Sequence, residues 1–304
     1  MGRVDSFLTT RYRQADIDPL YIRRPSTSWT LKVRGNLSGS GVLMEGVYGD
    51  TRVRGDMSAA YKSTFSLSAS YLGITLGGAI NPGALLGRYK DYEFNLNSYG
   101  NRFGYDLIWQ RARNLKGWMQ IGSGERVQMG SGGADQQMLY LTAYYVFNHR
   151  RFSYPAAFSQ SYIQRRSQGS FLVGASLQRL RTSHAAAAER DLLPSVRLKA
   201  WVGGLGAGYA YNWVPSRRWL LHLSALPTFV LYNRHQLWVD DEPGRLHSRF
   251  PEVILTGRGA AVYSFGRQFL GTTVVFNYSN LGDEEQLEVR HIKWRVRTFY
   301  GIRF

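Results

Sequence analysis

The chain has 304 residues, no cysteine and 33 glycines, and charged residues make up only 19% of it. This charged fraction is below the roughly 25% of soluble domains. Aromatic residues make up 14% of the chain. No stretch has the roughly 20 consecutive apolar residues of a membrane helix, which argues against a helical membrane protein. The formal net charge of +17 admits nucleic acid, anionic lipid or an anionic solute as a partner.

The cations are spread at strand spacing rather than gathered in a tail, and the sequence has none of the usual nucleic-acid modules. We therefore predict no nucleic-acid partner. Zinc-ligand spacings are also missing from the sequence, and we predict no cofactor and no bound metal.

Residues 1–27 show no sustained period, and we expect them to form a short irregular segment on the periplasmic side. No secretory signal peptide precedes Val4, so we expect that an export signal has been removed. After this segment, apolar and polar residues alternate with period 2, which is the pattern of a half-buried β-strand. The first predicted strand, 28–38, carries Lys32 and Arg34 on its polar face.

The same alternation predicts eleven further strands, each near the 9–11 residues that cross a bilayer at a tilt. They cover 57–68, 72–80, 91–98, 103–110, 136–147, 171–177, 205–213, 221–231, 253–265, 270–278 and 287–304. In the second strand of the chain, Met57 and Ala59 share the apolar face of Phe65. Residues 28–304 are therefore predicted to form a single closed antiparallel transmembrane β-barrel of about twelve strands.

The last predicted strand has the most sharply divided faces. Its apolar face carries Ile292, Trp294, Val296, Thr298, Tyr300, Ile302 and Phe304. Its opposite face carries the charged residues His291, Lys293, Arg295, Arg297 and Arg303. In an outer-membrane barrel the apolar face meets lipid and the charged face meets a wet lumen. We expect Tyr300, Ile302 and Phe304 to form the signal that the barrel assembly machinery reads.

The connections between the predicted strands alternate in length. The short turns are 99–101, 214–218 and 266–268, and the long loops are 39–56, 112–135, 182–197 and 232–251. Bacterial barrels have short periplasmic turns and longer external loops. This sorting predicts two periplasmic termini and a location in the bacterial outer membrane, with outer-membrane lipid and lipopolysaccharide as partners. Residues 148–168 are the exception, because they form a long segment at the end that has short turns.

Four stretches resemble an uncharacterised domain-of-unknown-function family of Bacteroidota proteins, usually predicted to form outer-membrane barrels. They are WTLKVRGNLSGS at 29–40, YKSTFSLSASYLGITLGGAINP at 61–82, KDYEFNLNSYGNRFGYDLIWQ at 90–110 and FNHRRFSYPAAFSQSYIQRRSQGS at 147–170. The resemblance implies export and an outer-membrane location. It implies no reaction, substrate or catalytic residue.

Charged residues on the inward faces form the first candidate site. The predicted basic wall consists of Lys32, Arg34, Arg258, Lys293, Arg295 and Arg297. The predicted acidic wall consists of Asp91, Glu93 and Asp106. Rows of cations favour anions in a pore, so one predicted function is a small passive channel for anionic solutes. The alternative is that these charges pair across a packed lumen, because a barrel of twelve strands is narrow.

The long segment 148–168 is the second candidate site. Its distinctive residues are Arg150, Arg151, Phe152, Tyr154, Phe158, Arg165 and Arg166. Aromatic residues at this density rarely stay solvated, so we expect an ordered insert. The insert either plugs the lumen or docks a periplasmic protein on a closed, structural barrel.

A lipid-directed hydrolase is the third function considered. His222 faces inward with Ser224 two residues on, while His149 and His291 belong to opposite ends of the barrel. The sequence has no G-x-S-x-G nucleophile elbow. We therefore predict no catalytic residue and interpret each histidine as a hydrogen-bonding group of the lumen.

Overall fold

The computed structural model describes residues 16–48, 51–72, 74–80, 82–85, 92–113, 115–130, 134–184, 195–239, 242–244, 252–282 and 287–304. The strands among these residues are β1 (Ile22–Arg23), β2 (Trp29–Tyr48), β3 (Thr51–Ala59), β4 (Lys62–Tyr71), β5 (Ile74–Ile80), β6 (Tyr92–Tyr99), β7 (Phe103–Ala112), β8 (Leu115–Ile121), β9 (Val127–Met129), β10 (Ala134–Val146), β11 (Ile163–Gln164), β12 (Gln168–His184), β13 (Val196–Ser216), β14 (Trp219–Val239), β15 (Glu242–Gly244), β16 (Val253–Phe265), β17 (Gln268–Gly282) and β18 (Leu287–Arg303). The two helices in the described part of the chain are α1 (Pro82–Leu85) and α2 (Tyr154–Phe158). Neither has the length or the apolar composition of a membrane-spanning helix.

One large antiparallel sheet contains almost all of these strands. Its wall follows the order β5, β4, β2, β18, β17, β16, β14, β13, β12, β10, β7 and β6. Sequence neighbours pair along most of this path, as expected for hairpins with short turns. In the described residues no ladder joins β5 to β6, so closure of the barrel stays a prediction.

The last strand pairs with the first long strand, as expected for a closed barrel. The β18–β2 ladder runs from Leu287 opposite Gly46 to Arg303 opposite Thr30. Backbone hydrogen bonds between Trp29 and Phe304 complete its end, with N···O distances of 3.0 and 3.1 Å. These bonds fix the C-terminus at the end of the sheet that has the short turns.

The two faces of the wall differ as the alternation predicts. Large apolar side chains point outward, and Leu223 is 74% and Phe171 70% exposed. The neighbouring inward residues His222 and Leu172 are 5% and 1% exposed. A soluble protein rarely exposes so much apolar surface. The outward face is therefore suited to contact with an apolar environment. The residues of the predicted assembly signal, Tyr300, Ile302 and Phe304, also lie on this face.

The predicted long loops contain more strand than expected. The predicted loop 39–56 is instead a hairpin in which β2 pairs with β3, and the predicted loop 112–135 contains β8 and β9. Beyond a bilayer both faces of a strand meet water, so the period-2 signal fades while the backbone pairing continues. Strand ends are therefore hidden in the sequence at this end of the sheet.

A second correction concerns Met57 and Ala59. They were predicted to share the exposed face of Phe65, but both are buried. The β2 ladder pairs Ser38 with Lys62 but Gly41 with Ser58. This change of register is one residue, and a one-residue offset moves side chains to the opposite face. Met57 and Ala59 consequently join a small apolar cluster with residues of β7, β8, β9 and β10.

Candidate functional site

The insert, residues 148–168, lies inside the inner end of the sheet. Here the inner end is the end with the short turns and the C-terminus. Ser153 caps α2, accepting a hydrogen bond from the backbone N–H of Ala156 at 3.3 Å. All five residues of the helix are buried. Phe152 and Phe158 belong to one apolar cluster with inward residues of seven wall strands.

Aromatic rings of the insert surround His222. The ring centroids of Tyr154 and Phe158 lie 5.0 and 5.1 Å from that of His222. His222 Nδ1 lies 2.7 Å from Asn212 Oδ1, an acceptor, so Nδ1 carries the proton. His222 Nε2 then accepts from Ser224 Oγ at 3.0 Å. A series of hydrogen-bonded amide, imidazole and hydroxyl groups is also the arrangement that activates a nucleophile. Here the aromatic rings of the insert cover these groups, and the hydrogen bonds satisfy buried polar atoms.

The other two histidines considered in the sequence lie far from this cluster. His149 is at the inner end and contacts Asp16 and Arg102. His291 is buried on the inward face of β18. In the described part of the chain, no two of these three histidines lie together at one position.

Two cations of the β2–β18 seam bind the end of α2. Lys32 Nζ donates to the backbone carbonyl of Ser159, and also to Gln160 Oε1 at 3.3 Å. Arg303 Nη2 donates to the carbonyl oxygen of Gln160 at 3.1 Å. Carbonyl groups at a helix end lack intrahelical partners, and cations are their natural donors. Lys32 thus fastens the insert to the wall.

Gly301 makes room for this contact. It is the register partner of Lys32 across the seam. A Cβ at Gly301 would lie 2.2 Å from the ring of Phe269 and 2.9 Å from Cγ of Lys32. A larger residue would therefore displace one of these side chains.

A buried ion pair crosses the interior from β16 to β7. Arg258 Nη2 donates to Asp106 Oδ2 at 2.6 Å, and the two side chains are 0% and 3% exposed. Tyr99 donates its hydroxyl to the other carboxylate oxygen at 2.8 Å. Arg258, predicted in the basic wall, therefore lies against the predicted acidic wall.

A second buried pair joins β18 to β6. Lys293 Nζ lies 2.7 Å from Glu93 Oε2, with side-chain exposures of 3% and 9%. Asn95 donates to the same carboxylate at 2.8 Å, and Ser38 donates at 3.4 Å. The predicted basic and acidic walls are thus in direct contact. Asp91 lies outside the described residues.

Two of the remaining cations of the predicted basic wall contact side-chain amides. Arg295 Nη1 donates to Asn95 Oδ1 at 2.7 Å, and Arg297 Nε donates to Asn36 Oδ1 at 2.6 Å. In the described part of the chain no carboxylate pairs with Arg34, Arg295 or Arg297. A strip of unneutralised positive charge therefore runs beside the two buried ion pairs.

The N-terminal segment covers the insert from the inner end. Arg150 Nε donates to Asp16 Oδ1 at 2.7 Å, and Arg102 Nη2 to Asp16 Oδ2 at 3.0 Å. His149 Nε2 is also 3.3 Å from that carboxylate. The hydrogen bond with His149 and the pairing with Arg150 hold the pKa of Asp16 below its usual range. We call Asp16, Arg102, His149 and Arg150 the clasp.

Other contacts extend this cover. Arg151 Nε donates to Asp18 Oδ2 at 3.1 Å, and Arg165 Nη1 donates to the carbonyl of Pro19 at 3.0 Å. The guanidinium of Arg166 lies 5.7 Å from the ring centroid of Tyr21. Strands β1 and β11 pair beside these contacts. Residues 16–24 and the insert together form the inner cap.

The insert therefore has two sides. Its aromatic residues Phe152, Tyr154 and Phe158 are buried, whereas its four arginines are exposed and hold the N-terminal segment. Sequence reasoning missed the clasp residue Asp16 and the role of Asp18. The signal was present, since these were two acids in a strongly basic chain, placed ahead of the first wall strand. Nothing in the sequence indicates the carbonyl acceptors at Ser159 and Gln160.

The inner end of the molecule is strongly basic. Its exposed arginines are Arg23, Arg102, Arg150, Arg151, Arg165, Arg166, Arg217, Arg218 and Arg267. The side-chain carboxylates described at this end are Asp16 and Asp18, and both are bound by arginines of the cap. A positive surface therefore surrounds the buried insert.

Comparison with solved structures found similar arrangements of strands. The chain is similar to the outer membrane protease OmpT from Escherichia coli, with 6% identity, coverage of 93% of this chain and 98% of that chain, and a TM-score of 0.49. It is similar to the outer membrane protein OprG from Pseudomonas aeruginosa, with 9% identity, coverage of 91% and 97%, and a TM-score of 0.30. The translocator domain of the autotransporter NalP from Neisseria meningitidis has 12% identity, coverage of 99% and 96%, and a TM-score of 0.30.

Comparison with curated protein sequences found no match. A match does exist at the level of a family, and it covers residues 16–304, which include the inner cap and every strand of the wall. The chain belongs to the family described as a domain of unknown function, DUF4421.

Proposed function

We propose that this protein is a closed, non-conducting β-barrel of the bacterial outer membrane, with twelve wall strands. Its interior is plugged by the insert, and its inner cap docks an acidic periplasmic protein. The observation that carries the docking function is the excess of exposed arginines around the cap.

The dimensions of the outward face support the membrane location. Trp201 and Trp213 lie on the outward face of β13, twelve residues apart. Twelve residues of strand cover about 40 Å, and a tilt of roughly 40° reduces this to a height of about 30 Å. The hydrocarbon core of a bilayer is also about 30 Å thick. The residues between the two tryptophans on this face include Leu205 and Tyr209, as lipid contact requires.

The contacts of the interior support a closed lumen. The Arg258–Asp106 and Lys293–Glu93 pairs tie opposite walls together in the middle of the barrel. The aromatic side of the insert fills the inner end. A solute would have to break buried ion pairs and then displace a packed apolar cluster, so free diffusion is blocked at two levels.

The charge of the inner end supports the choice of partner. Nine exposed arginines surround two carboxylates that are already paired, so the surface attracts negative charge. Complementary charge speeds encounter and sets orientation. The partner therefore carries an acidic surface, and we expect salt to weaken the association. The assembly machinery is expected to act earlier, on Tyr300, Ile302 and Phe304.

Photo-crosslinking in intact cells tests the docking function. A photoreactive amino acid replaces Arg217 or Arg267, two turn residues of the inner end that lie outside the cap. The control position is Gln236, exposed on the outward face at the opposite end of β14. We expect a discrete adduct with an acidic protein from both inner positions and none from Gln236. The docking function is wrong if the inner positions give no protein adduct in a correctly assembled barrel.

A passive pore for anionic solutes is the second candidate. It is favoured by Arg34, Arg295 and Arg297, whose charges lack a described carboxylate partner. This function requires that the insert leaves the lumen. In single-channel recordings it predicts anion selectivity that is reversed by Arg295→Glu combined with Arg297→Glu. Selectivity that is unchanged by this reversal would eliminate the pore.

A further inference from the structure

A basic patch lies on the outward face of β12, β13 and β14, at the end opposite the inner cap. It consists of Arg179, Arg181, Lys199 and Arg234, and we call it the outer patch. Inward residues of these strands are Leu180, Ala200 and Asn233, so the patch residues point away from the interior. Charges on the outward face of a barrel are unexpected, because this face meets lipid.

The strand register gathers the four cations. Arg179 is the partner of Trp201, which is the partner of Arg234, and Arg181 is the partner of Lys199. Neighbouring strands are about 4.8 Å apart and alternate residues about 6.6 Å apart, so the four side chains reach a common point. They line an open groove of about 470 Å³ together with Trp201, Tyr232 and Gln236.

Two cations of the outer patch contact aromatic rings. The guanidinium of Arg179 lies 5.0 Å from the ring centroid of Trp201. Lys199 Nζ lies 4.9 Å from the ring centroid of Trp238. Within the described ranges no carboxylate forms an ion pair with any of the four cations. Cation–π contacts leave the N–H groups able to donate to an anion.

The surface beside the patch is apolar. On the side of the patch that faces the inner end, β14 exposes Phe229 and Leu231, and β13 exposes Leu205. Trp201 marks the boundary, as aromatic residues do where hydrocarbon meets headgroups. A ligand on this surface therefore has a negative head at the level of the arginines and acyl chains below them. A free phosphate or a soluble protein does not match the apolar part.

From this arrangement we infer that the outer patch binds the phosphate groups of a phosphorylated glycolipid in the outer leaflet. The inference rests on the proposed outer-membrane location. Arginine recognises phosphate through paired N–H groups, and two rows of cations suit a headgroup with more than one phosphate. The acyl chains of the bound lipid would cover the apolar part of the outward face of β12–β14.

Native mass spectrometry of the full chain in detergent tests this inference. The probe is purified bisphosphorylated lipid A, and its dephosphorylated form is the matched comparison. The test variant combines Arg179→Gln, Lys199→Gln and Arg234→Gln. At about 1 kcal/mol per basic residue near an anionic lipid surface, we expect the affinity to fall about a hundred-fold. The control is Arg290→Gln, because Arg290 faces outward at the same end but is paired with Glu288.

Four outcomes decide the inference. It is supported if the wild type and Arg290→Gln bind bisphosphorylated lipid A equally and the triple variant loses this binding. It is overturned if the triple variant binds as well as the wild type, or if the dephosphorylated form binds as tightly. Displacement of the lipid by millimolar inorganic phosphate would overturn the lipid assignment in favour of a free anion. Heat-modified migration in gels confirms that each variant is folded, so failure here is separable from failure of the docking function.

Discussion

Arg258 Nη2 donates to Asp106 Oδ2 at 2.6 Å and joins β16 to β7 through the interior. The guanidinium also lies 4.9 Å from the ring centroid of Tyr144. A charge pair this deeply buried gains from its Coulomb attraction and loses from desolvation, so its net contribution to stability is small. Removing one partner is different, because it leaves an unpaired charge in the interior.

The first prediction concerns this pair. Asp106→Ala leaves Arg258 buried without its carboxylate, and we expect the free energy of unfolding to fall by about 3–5 kcal/mol. Urea unfolding in detergent micelles measures the change. The double variant Asp106→Leu with Arg258→Met removes both charges, and it should recover most of the loss. Glu45→Ala is the matched control, because it breaks the exposed pair with Arg54 and should cost less than about 1 kcal/mol.

The second prediction concerns the apolar side of the insert. Phe158→Ala removes a ring that packs on Tyr99 and His222, and we expect a loss of about 3–5 kcal/mol in stability. Because the insert is then held less firmly, trypsin should cleave after Arg165 and Arg166 at least ten-fold faster. Phe171→Ala is the control, since Phe171 is exposed on the outward face. Equal cleavage rates in the two variants would show that Phe158 does not hold the insert.

The third prediction concerns the contact between the seam and the insert. Lys32→Met removes the donor to Ser159 and Gln160 but keeps a long apolar side chain. Hydrogen bonds to charged groups contribute about 1.5–3 kcal/mol, so amide exchange in 156–161 should be roughly ten-fold faster or more. Exchange in β12 should not change. Uniform acceleration along the chain would mean that Lys32 stabilises the wall as a whole rather than the insert.

The fourth prediction is a pH dependence of the clasp. The pKa of Asp16 is lower in the folded protein than in an unfolded chain, where it is about 3.9. The contribution of Asp16 is therefore complete above the unfolded pKa and is lost as the pH falls through the lowered folded pKa. Amide exchange in 18–23, corrected for the intrinsic rate at each pH, should accelerate below about pH 4.

Asp16→Asn is the matched variant for this measurement. It should exchange faster than the wild type at neutral pH and show no further change on acidification, because Arg102, His149 and Arg150 then face an amide at every pH. A wild-type pH profile that is reproduced by Asp16→Asn would assign the effect to another group.

The faces of the wall strands could be predicted from the sequence because lipid and interior impose opposite chemistry on alternate residues. Phe65, Leu67 and Leu76 are exposed as predicted, at 60%, 61% and 79%. The prediction was wrong for Met57 and Ala59, where a one-residue change of register reverses the faces. A register change leaves no mark in composition, so it could not be seen without the ladder.

The contacts of the interior could be predicted only in kind. Alternation places Lys293 and Glu93 on inward faces, but 200 residues separate them in sequence. Which inward charge meets which depends on the diameter and curvature of the sheet, and neither is encoded in a local pattern. The density of aromatic residues indicated an ordered insert. Lys32 and Arg303 hold the insert through backbone carbonyl groups. Every residue has such a group, so the sequence does not show which carbonyls accept these hydrogen bonds.

The most direct test of the proposed closed lumen is a planar lipid bilayer recording on the purified, folded protein. In about 1 M salt, which screens exposed charges, the wild type and Phe171→Ala should show no stepwise conductance above that of the bare bilayer. Removal of 149–166 combined with Glu93→Ala and Asp106→Ala, which also breaks the two buried ion pairs, should then produce channels in the same assay. Regular conductance steps from the wild-type protein would contradict the closed lumen and favour the anion pore.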